Sequence, residues 1–175
     1  LAPRDGTVTR RYDGDTLILV TRWETASGVA EVVDFMPIDG GRVDLVRRIV
    51  GVSGEVAFDT ELRMRFDYAR AMPWVRQVGD ERAPALHATA GPDSLVVRGV
   101  ALEPSDHAHR GSFTVAAGET VDLVATWSHS YRPEPRCVRR RRGAGRDPRL
   151  VERLGVAHRP CGTPSRHGGA FAAGA

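Results

Sequence analysis

The sequence predicts an all-β fold, an antiparallel β-sandwich of two sheets, followed by a basic C-terminal tail that is disordered or irregular. Apolar residues occupy every second position over residues 56–66, and this period of two is typical of a half-buried strand. About eight segments rich in β-branched and aliphatic residues follow one another at short intervals, with no amphipathic helix between them. This arrangement favours two packed antiparallel sheets over an α/β fold.

A third observation divides the chain into two parts, because its charge is uneven. The 175 residues carry a net charge of +3. Residues 1–135 contain 15 Arg and 20 Asp or Glu, a net charge of −5, whereas residues 136–175 contain 10 Arg and 2 acidic residues, a net charge of +8. The sequence therefore predicts one β-domain over residues 1–135 and an Arg-, Gly-, Pro- and Ala-rich tail over residues 136–175.

Short turns join the strands that are predicted in the first half of the domain. These strands are residues 16–23, 29–36, 43–52 and 56–66. The turn at residues 26–28 is short, so the first two strands should form an antiparallel hairpin. Arg47 and Arg48 interrupt the third strand in a way that suits a sheet edge or a half-exposed face. A tight link at residues 52–54 should lead into the fourth strand.

The second half of the domain repeats this pattern more weakly. The predicted strands are residues 86–90, 94–100, 111–115 and 120–127. No run approaches the ~18 apolar residues of a membrane-spanning helix. No signal peptide is visible either, which predicts a cytoplasmic protein without membrane contact.

Few residues indicate chemistry, and the sequence predicts no catalytic residue, no cofactor and no metal. His107 and His109 would share a strand face as metal ligands, but two exposed histidines in a polar loop explain them better, because no third ligand is near in sequence. Asp13 and Asp15 fit a turn better than an acid–base pair. The Ser-His-Ser at residues 128–130 is a poor nucleophile and base, because adjacent residues of an extended chain rarely point at each other.

Two strand ends carry less ordinary side chains. The candidate residues for a rim are Asp34, Phe35, Met36, Pro37, Phe66, Asp67, Tyr68, Arg70 and Trp74. One interpretation is that both segments cap the core, with an Asp–Arg pair nearby. The other is that both rims face a partner domain or a sugar, since aromatic faces suit C–H surfaces and Asp or Arg side chains suit hydroxyl groups.

A series of short motifs follows in a fixed order. It comprises Tyr12, residues 15–19 (DTLIL), 23–28 (WETASG), 33–37 (VDFMP), 45–54 (LVRRIVGVSG), 62–70 (LRMRFDYAR), 73–75 (PWV), 90–93 (AGPD), 111–119 (GSFTVAAGE), 126–128 (TWS) and Pro133. In this order the series resembles the N-terminal β-sandwich, or trehalase-like N-terminal, domain of bacterial glycoside hydrolase family 15 proteins, the glucoamylase and trehalase-like enzymes. The resemblance covers roughly residues 2–135.

The resemblance implies a role within a longer enzyme. In that family the β-sandwich precedes an α/α toroid, whose two glutamates hydrolyse α-glucosidic bonds with inversion. Residues 1–135 would then be a non-catalytic domain, with the toroid as its partner and an α-glucoside near its rim. The chain starts at Leu1 and contains neither the toroid nor the early strands of the family, so we expect an internal fragment of the enzyme that is inactive alone.

An alternative function for residues 1–135 is a stand-alone carbohydrate-binding module. Such a module would need a row of exposed aromatic residues on one sheet face. The three tryptophans, Trp23, Trp74 and Trp127, are expected at strand ends instead of in a row. The sequence therefore favours the domain of a larger hydrolase.

The tail also has two interpretations. Its composition is expected when G+C-rich coding sequence is read out of frame, which suggests a frameshift near residues 136–149. The alternative is nucleic-acid or anion binding through the Arg run at residues 139–142. That run lacks interleaved aromatic residues, so no specific nucleic-acid partner is predicted. Cys137 and Cys161 are too few for a disulfide framework or a convincing metal site.

Overall fold

The computed structural model describes residues 1–37, 43–80 and 83–133 of the chain. The strands of these residues are β1 (Ala2–Pro3), β2 (Thr7–Tyr12), β3 (Leu19–Glu24), β4 (Gly28–Phe35), β5 (Val43–Leu62), β6 (Trp74–Asp80), β7 (Ala83–Ala90), β8 (Asp93–Arg98), β9 (Glu103–Ser105), β10 (Ala108–Ala116) and β11 (Thr120–His129). Every pairing between them is antiparallel. The prediction of an all-β, antiparallel fold is therefore confirmed. The tail, with its cysteines and its Arg run, lies outside the described residues.

None of the described residues forms a helix long and apolar enough to cross a membrane.

One long strand, β5, connects all the strands into a single hydrogen-bonded system. The main path has the order β2-β3-β4-β5-β11-β8-β7-β6. Residues 43–50 of β5 pair with β11 in this path, whereas residues 55–62 pair with β10, which in turn pairs with β9. The strands are thus joined through β5, and the division into two separate sheets that a sandwich implies is not confirmed.

The bend in β5 shows that the prediction of two strands joined by a tight link at residues 52–54 is wrong. Gly54 has a φ of +60°, and a Cβ atom there would collide with the carbonyl oxygen of Ser27. Backbone hydrogen bonds continue through the bend, because the N–H of Glu55 donates to Ser27 O at 3.1 Å and the N–H of Ala117 donates to Gly54 O at 2.9 Å. Glycine therefore lets the strand turn without losing its neighbours.

The second part of β5 supplies one side of the core, as its alternation predicts. The even positions from 56 to 66 are buried or half-buried, and the odd positions from 57 to 65 are exposed. Phe58 is fully buried and its ring stacks on Phe113 of β10, with 5.8 Å between the centroids. One core cluster contains Ala30, Val32, Ile49, Val56, Phe58 and Val115, and a second contains Met64, Leu86, Ala88, Val97 and Leu102. Residues from the two ends of β5 thus pack against each other.

Arg47 and Arg48 lie inside the sheet, so the edge position predicted for them is wrong. Because β5 has neighbours on both sides, each arginine binds a carboxylate on a different neighbour. Arg47 binds Asp34 of β4 through two contacts of 2.7 and 2.9 Å, and Arg48 binds Asp122 of β11 through two contacts of 2.8 and 3.3 Å. The side chain of Arg47 is 41% exposed, in agreement with the half-exposed face, whereas that of Arg48 is 10% exposed.

The hairpin predicted in the first half is confirmed as β3 and β4, although β3 begins at Leu19 and not at residue 16. Residues before it form a turn, in which the N–H of Asp13 donates to Ile18 O at 3.0 Å and Thr16 Oγ1 donates to Asp13 O at 2.6 Å. The interpretation of this acidic segment as a turn is therefore confirmed. Strands β1, β2, β6 and β9 were not predicted.

Candidate functional site

Both predicted rims lie at the same end of the sheet. The first rim, residues 34–37, contains the end of β4, and the second, residues 66–74, leads into the start of β6. The strands of the path β4-β5-β11-β8-β7-β6 are antiparallel to their neighbours throughout. The end of β4 and the start of β6 therefore lie at the same end of the sheet. The start of β5 and the end of β11 lie there too.

A row of paired residues connects the two sides of this end. Successive partners in the row are Val43, Trp127, Leu95, Ala88 and Val75. With ~4.8 Å between neighbouring strands, the row is about 19 Å long. Trp74 of the second rim directly precedes the last residue of the row. The two rims, which are far apart in sequence, thus lie along the same end of the sheet.

Exposed apolar side chains are concentrated at this end. Of the ten large apolar residues that are exposed in the described part of the chain, nine lie at strand termini or loops of this end: Tyr12, Leu17, Met36, Val43, Leu45, Tyr68, Met72, Trp74 and Tyr131. The tenth, Val8, lies within β2. We call the nine residues the apolar end. Large exposed apolar patches on soluble proteins mark interaction sites.

The first rim is divided between core and surface. Asp34 is held by Arg47, and this contact raises the pKa of the Arg47 guanidinium. Phe35 is 7% exposed, and the guanidinium of Arg48 lies 6.0 Å from the centroid of its ring. Met36 is 58% exposed. The interpretation as a core cap thus fits the first two residues of the rim, whereas Met36 is available to a partner.

The second rim is a tight turn with an unusual backbone. The N–H of Phe66 donates to Ala71 O at 2.9 Å, and the N–H of Ala71 donates to Phe66 O at 3.1 Å. Between them Asp67, Tyr68 and Ala69 have φ values of 47°, 53° and 69°. Left-handed backbone costs a non-glycine residue about 1–2 kcal/mol. Because three such residues follow one another, the backbone of this turn is strained.

The side chains of the second rim face in two directions. Phe66 is half-buried and packs on the core cluster around Met64. Tyr68 is 97% exposed and Trp74 is 88% exposed. Arg70 is exposed, and its backbone N–H donates to the backbone oxygen of Asp67 at 3.0 Å. The rim therefore anchors itself through Phe66 and presents two aromatic rings to solvent.

A groove of about 360 Å³ lies between this turn region and the β9–β10 hairpin. Its lining residues are Met64, Arg65, Met72, Pro73, Val75, Pro104, Ser105, Asp106, His107, Ala108 and His109. Asp106 and His107 form the hairpin turn and have φ values of 46° and 54°. All five non-glycine residues with left-handed backbone in the described part of the chain thus lie in the two segments that border the groove, residues 64–75 and 104–109. Left-handed φ values are usual at both residues of a two-residue hairpin turn such as Asp106–His107. The strain therefore lies in the run of Asp67, Tyr68 and Ala69, and strain of that kind is typical of functional sites.

Comparisons of the chain with protein-family models, with curated proteins and with solved structures found no match. The likeness to family 15 hydrolases therefore depends on the motifs of the sequence and stays a prediction. Among the described residues, no three His, Cys, Asp or Glu side chains are grouped so that they could hold a metal ion. The two histidines of the groove, His107 and His109, accordingly lack a third ligand of these types.

The Ser-His-Ser segment has no catalytic geometry. Ser128 Oγ lies 3.0 Å from Ser94 Oγ on the neighbouring strand. The ring of His129 lies between those of Trp127 and Tyr131, at centroid distances of 4.9 and 5.0 Å. Neighbouring side chains of β11 thus project to opposite faces, as expected for a strand.

Sequence analysis missed the row of aromatic rings that Trp127, His129 and Tyr131 form. Their spacing of two residues along β11 was the available signal. The planes of His129 and Tyr131 are inclined by 11°, so these rings stack on each other. The contact of Trp127 with His129 is edge-on, with 67° between the ring planes, and Tyr131 is 74% exposed, so the three rings do not form one flat platform.

Two exposed carboxylates of β5, Asp59 and Glu61, belong to ion pairs. Asp59 accepts hydrogen bonds from Arg4 at 2.8 Å and from Ser112 at 2.7 Å, and the contact with Arg4 is the main cause of its lowered pKa. Glu61 is bound by Arg63 and Arg110, and its pKa is lowered mainly by the hydrogen bond from Arg63. Both groups stay ionised at neutral pH, which is unsuitable for a general acid.

Proposed function

We propose that residues 1–135 form a non-catalytic N-terminal domain of a glucoamylase- or trehalase-like glycoside hydrolase, which binds the helical catalytic domain through the apolar end. The observation that carries this proposal is the concentration of nine exposed apolar side chains at one end of the sheet, among them Met36 of the first rim and Tyr68 and Trp74 of the second. The motif series of the sequence resembles that family, and the apolar end is a surface of the kind that such a domain needs.

The chemistry of the apolar end fits a protein partner. Tyr and Trp are enriched among the residues that dominate binding energy at interfaces. Tyr68 and Trp74 are the most exposed aromatic side chains of the described residues, and each lies beside rigid structure, at a turn or at the start of a strand. Burying such a side chain yields about 1.5–3 kcal/mol, so two or three of them would anchor a domain.

The position of the last strand agrees with this partner. In the family that the sequence resembles, the toroid follows the β-domain along the chain. Strand β11 ends at His129, at the apolar end. A domain that follows β11 would therefore start beside the surface to which we assign its binding.

Asp59 and Glu61 do not match the acid of an inverting glycosidase. Asp59 and Glu61 have lowered pKa values, whereas an inverting glycosidase needs a carboxylic acid with a raised pKa as well as a base. We assign the catalytic glutamates of the parent enzyme to the toroid. Hydrolysis of maltose, trehalose or starch by this chain alone would contradict that assignment.

The proposal is tested by sequencing the locus on both sides of the coding region and expressing the toroid that is found there. We expect the toroid to bind the full chain, and Trp74→Ala to weaken that binding by about 30-fold, the effect of a ~2 kcal/mol hot spot. The matched control is Val8→Ala, which removes an exposed apolar side chain away from the apolar end and should leave the affinity unchanged. Finding no toroid in any frame, or equal losses for both variants, would overturn the proposal.

A titration with α-glucans distinguishes the other candidate. Saturable binding of an α-glucan by the full chain, unaffected by Trp74→Ala, would favour a carbohydrate-binding module over the domain of a hydrolase. We expect no saturable binding, because the rings of Trp127 and His129 meet edge-on and the row does not form a flat platform.

A further inference from the structure

We propose that the groove between residues 64–75 and 104–109 binds a soft monovalent metal ion, Cu(I), through the sulfur atoms of Met64 and Met72 and the imidazoles of His107 and His109. This inference is independent of the proposed function, and either could fail without the other. It concerns a groove of about 360 Å³, which has ample room for one ion and the four side chains around it.

The groove brings two thioethers and two imidazoles together. The sequence contains 3 Met and 6 His in total, and two of each line this groove. Thioether sulfur selects Cu(I) among the biological metals, and imidazole also suits copper. The sequence showed the two histidines without a third ligand. The fold brings the two methionines to them from a distant part of the chain.

The histidine rings of the groove are free to bind. In the described residues, no hydrogen bond or ion pair involves a ring nitrogen of His107 or His109, and only the backbone oxygen of His107 is an acceptor. By contrast, Nδ1 of His87 lies 3.0 Å from Nη2 of Arg76. His107 is exposed and His109 is half-buried, and both residues line the groove.

The two walls are fixed relative to each other. Arg65 Nη1 donates to the backbone oxygen of Met64 at 2.8 Å and to that of His107 at 3.4 Å. The hairpin turn holds His107 in a left-handed conformation, and Met64 is 6% exposed at the base of the opposite wall. Met72 lines the groove and is 54% exposed, and its unbranched side chain has three rotatable bonds.

The donor types of the groove favour a soft ion. The guanidinium of Arg65 and the carboxylate of Asp106 both line the groove, so their charges offset each other and do not exclude a cation. A zinc site needs about four His, Cys or carboxylate ligands, and no group of even three exists in the described residues. The thioethers therefore decide the selectivity, in favour of Cu(I) and against Zn(II).

The test uses the full chain with Cys137→Ser and Cys161→Ser, because thiolates of the tail would compete for the ion. The protein carries ¹³C-labelled methionine methyl groups and is titrated with Ag(I), a redox-inert substitute for Cu(I). We expect the resonances of Met64 and Met72 to shift and to saturate at one equivalent, while that of Met36, the third methionine, stays unchanged. Zn(II) should shift none of them.

Affinity measurements complete the test, with Cu(I) competed against a chromophoric chelator. We expect His107→Ala and Met72→Leu each to lower the affinity by about tenfold or more, as loss of a metal's ligand environment does. Met36→Leu is the matched control and should have no effect. Equal shifts of all three methionines, no shift at one equivalent, or wild-type affinity in both groove variants would overturn the proposal.

Discussion

Arg48 and Asp122 face each other across the pairing of β5 with β11 and form an ion pair with two contacts, 2.8 Å from Nε to Oδ1 and 3.3 Å from Nη2 to Oδ2. The side chain of Arg48 is only 10% exposed, and its guanidinium also lies 6.0 Å from the ring centroid of Phe35. A guanidinium in the interior of a sheet is stable only while its carboxylate is present.

Removing that carboxylate should be costly. We expect Asp122→Ala to lower the free energy of unfolding by about 3 kcal/mol, because it leaves a charge buried without compensation. Urea denaturation measures the change. The matched control is Asp59→Ala, which removes the partner of the exposed Arg4 and should cost far less. If the two variants lost equal stability, the ion pair of Arg48 would have no special importance.

Because the turn of the second rim is strained, replacing alanine by glycine should change the stability in opposite directions at Ala69 and at Ala57. Ala69 has a φ of 69°, so Ala69→Gly should stabilise the protein by about 0.5 kcal/mol, the relief of strain less the added freedom of the unfolded chain. Ala57 is exposed in β5, and Ala57→Gly should destabilise by about 0.5–1 kcal/mol. Thermal unfolding of both variants checks the signs, and equal signs would contradict the strain.

The ion pairs on the exposed face of β5 predict a loss of stability in acid. The folded-state pKa values of Asp59 and Glu61 are lowered, mainly by Arg4 and Arg63 respectively, so their contribution is complete at neutral pH. It is lost as the pH falls from the ordinary carboxyl range, about 4, through the lowered values. We expect the double variant Asp59→Asn, Glu61→Gln to be less stable at pH 7 and to depend less on pH below about 5. Urea denaturation midpoints measured across this pH range test the prediction. A double variant whose stability depended on pH as steeply as that of the wild type would contradict it.

The bend of β5 predicts that Gly54 is hard to replace. Gly54→Ala combines a left-handed φ with a collision of the new Cβ with Ser27 O. Gly91 has a similar φ of +57°, but no atom lies within 4 Å of a Cβ there. Gly91→Ala should therefore cost about 1 kcal/mol, the backbone strain alone, and Gly54→Ala at least about 2 kcal/mol. Calorimetric melting of the two variants would show equal losses if the collision were relieved by a shift.

The sequence predicted those strands whose two faces differ. The second part of β5 alternates between core and solvent, so its period of two was visible. Strand β2 is exposed along its whole length, and β6 is mostly exposed, because each lies at an end of the path. An edge strand without a buried face shows no regular alternation of apolar and polar residues. The sequence therefore did not predict β2 and β6.

The sequence indicated which residues would lie on the rims, but it did not indicate that the two rims lie at the same end of the sheet. Met36 and Trp74 stood out as apolar residues at segment ends, and both are exposed. Their common location depends on the insertion of β11 and β8 between β5 and β7, a pairing of distant segments that no local pattern encodes. For the same reason the sequence showed His107 and His109 without showing the methionines across the groove.

Strand β5 belongs to two ladders, one with β11 and one with β10, and this affects how the domain unfolds. Because residues 43–50 pair with β11 and residues 55–62 pair with β10, neither ladder can open without breaking the hydrogen bonds of the other around the bend. The two halves should exchange their amide hydrogens with one common opening free energy, as a single cooperative unit. A cut in the backbone between Gly51 and Glu55 would therefore melt the whole domain, not one half of it.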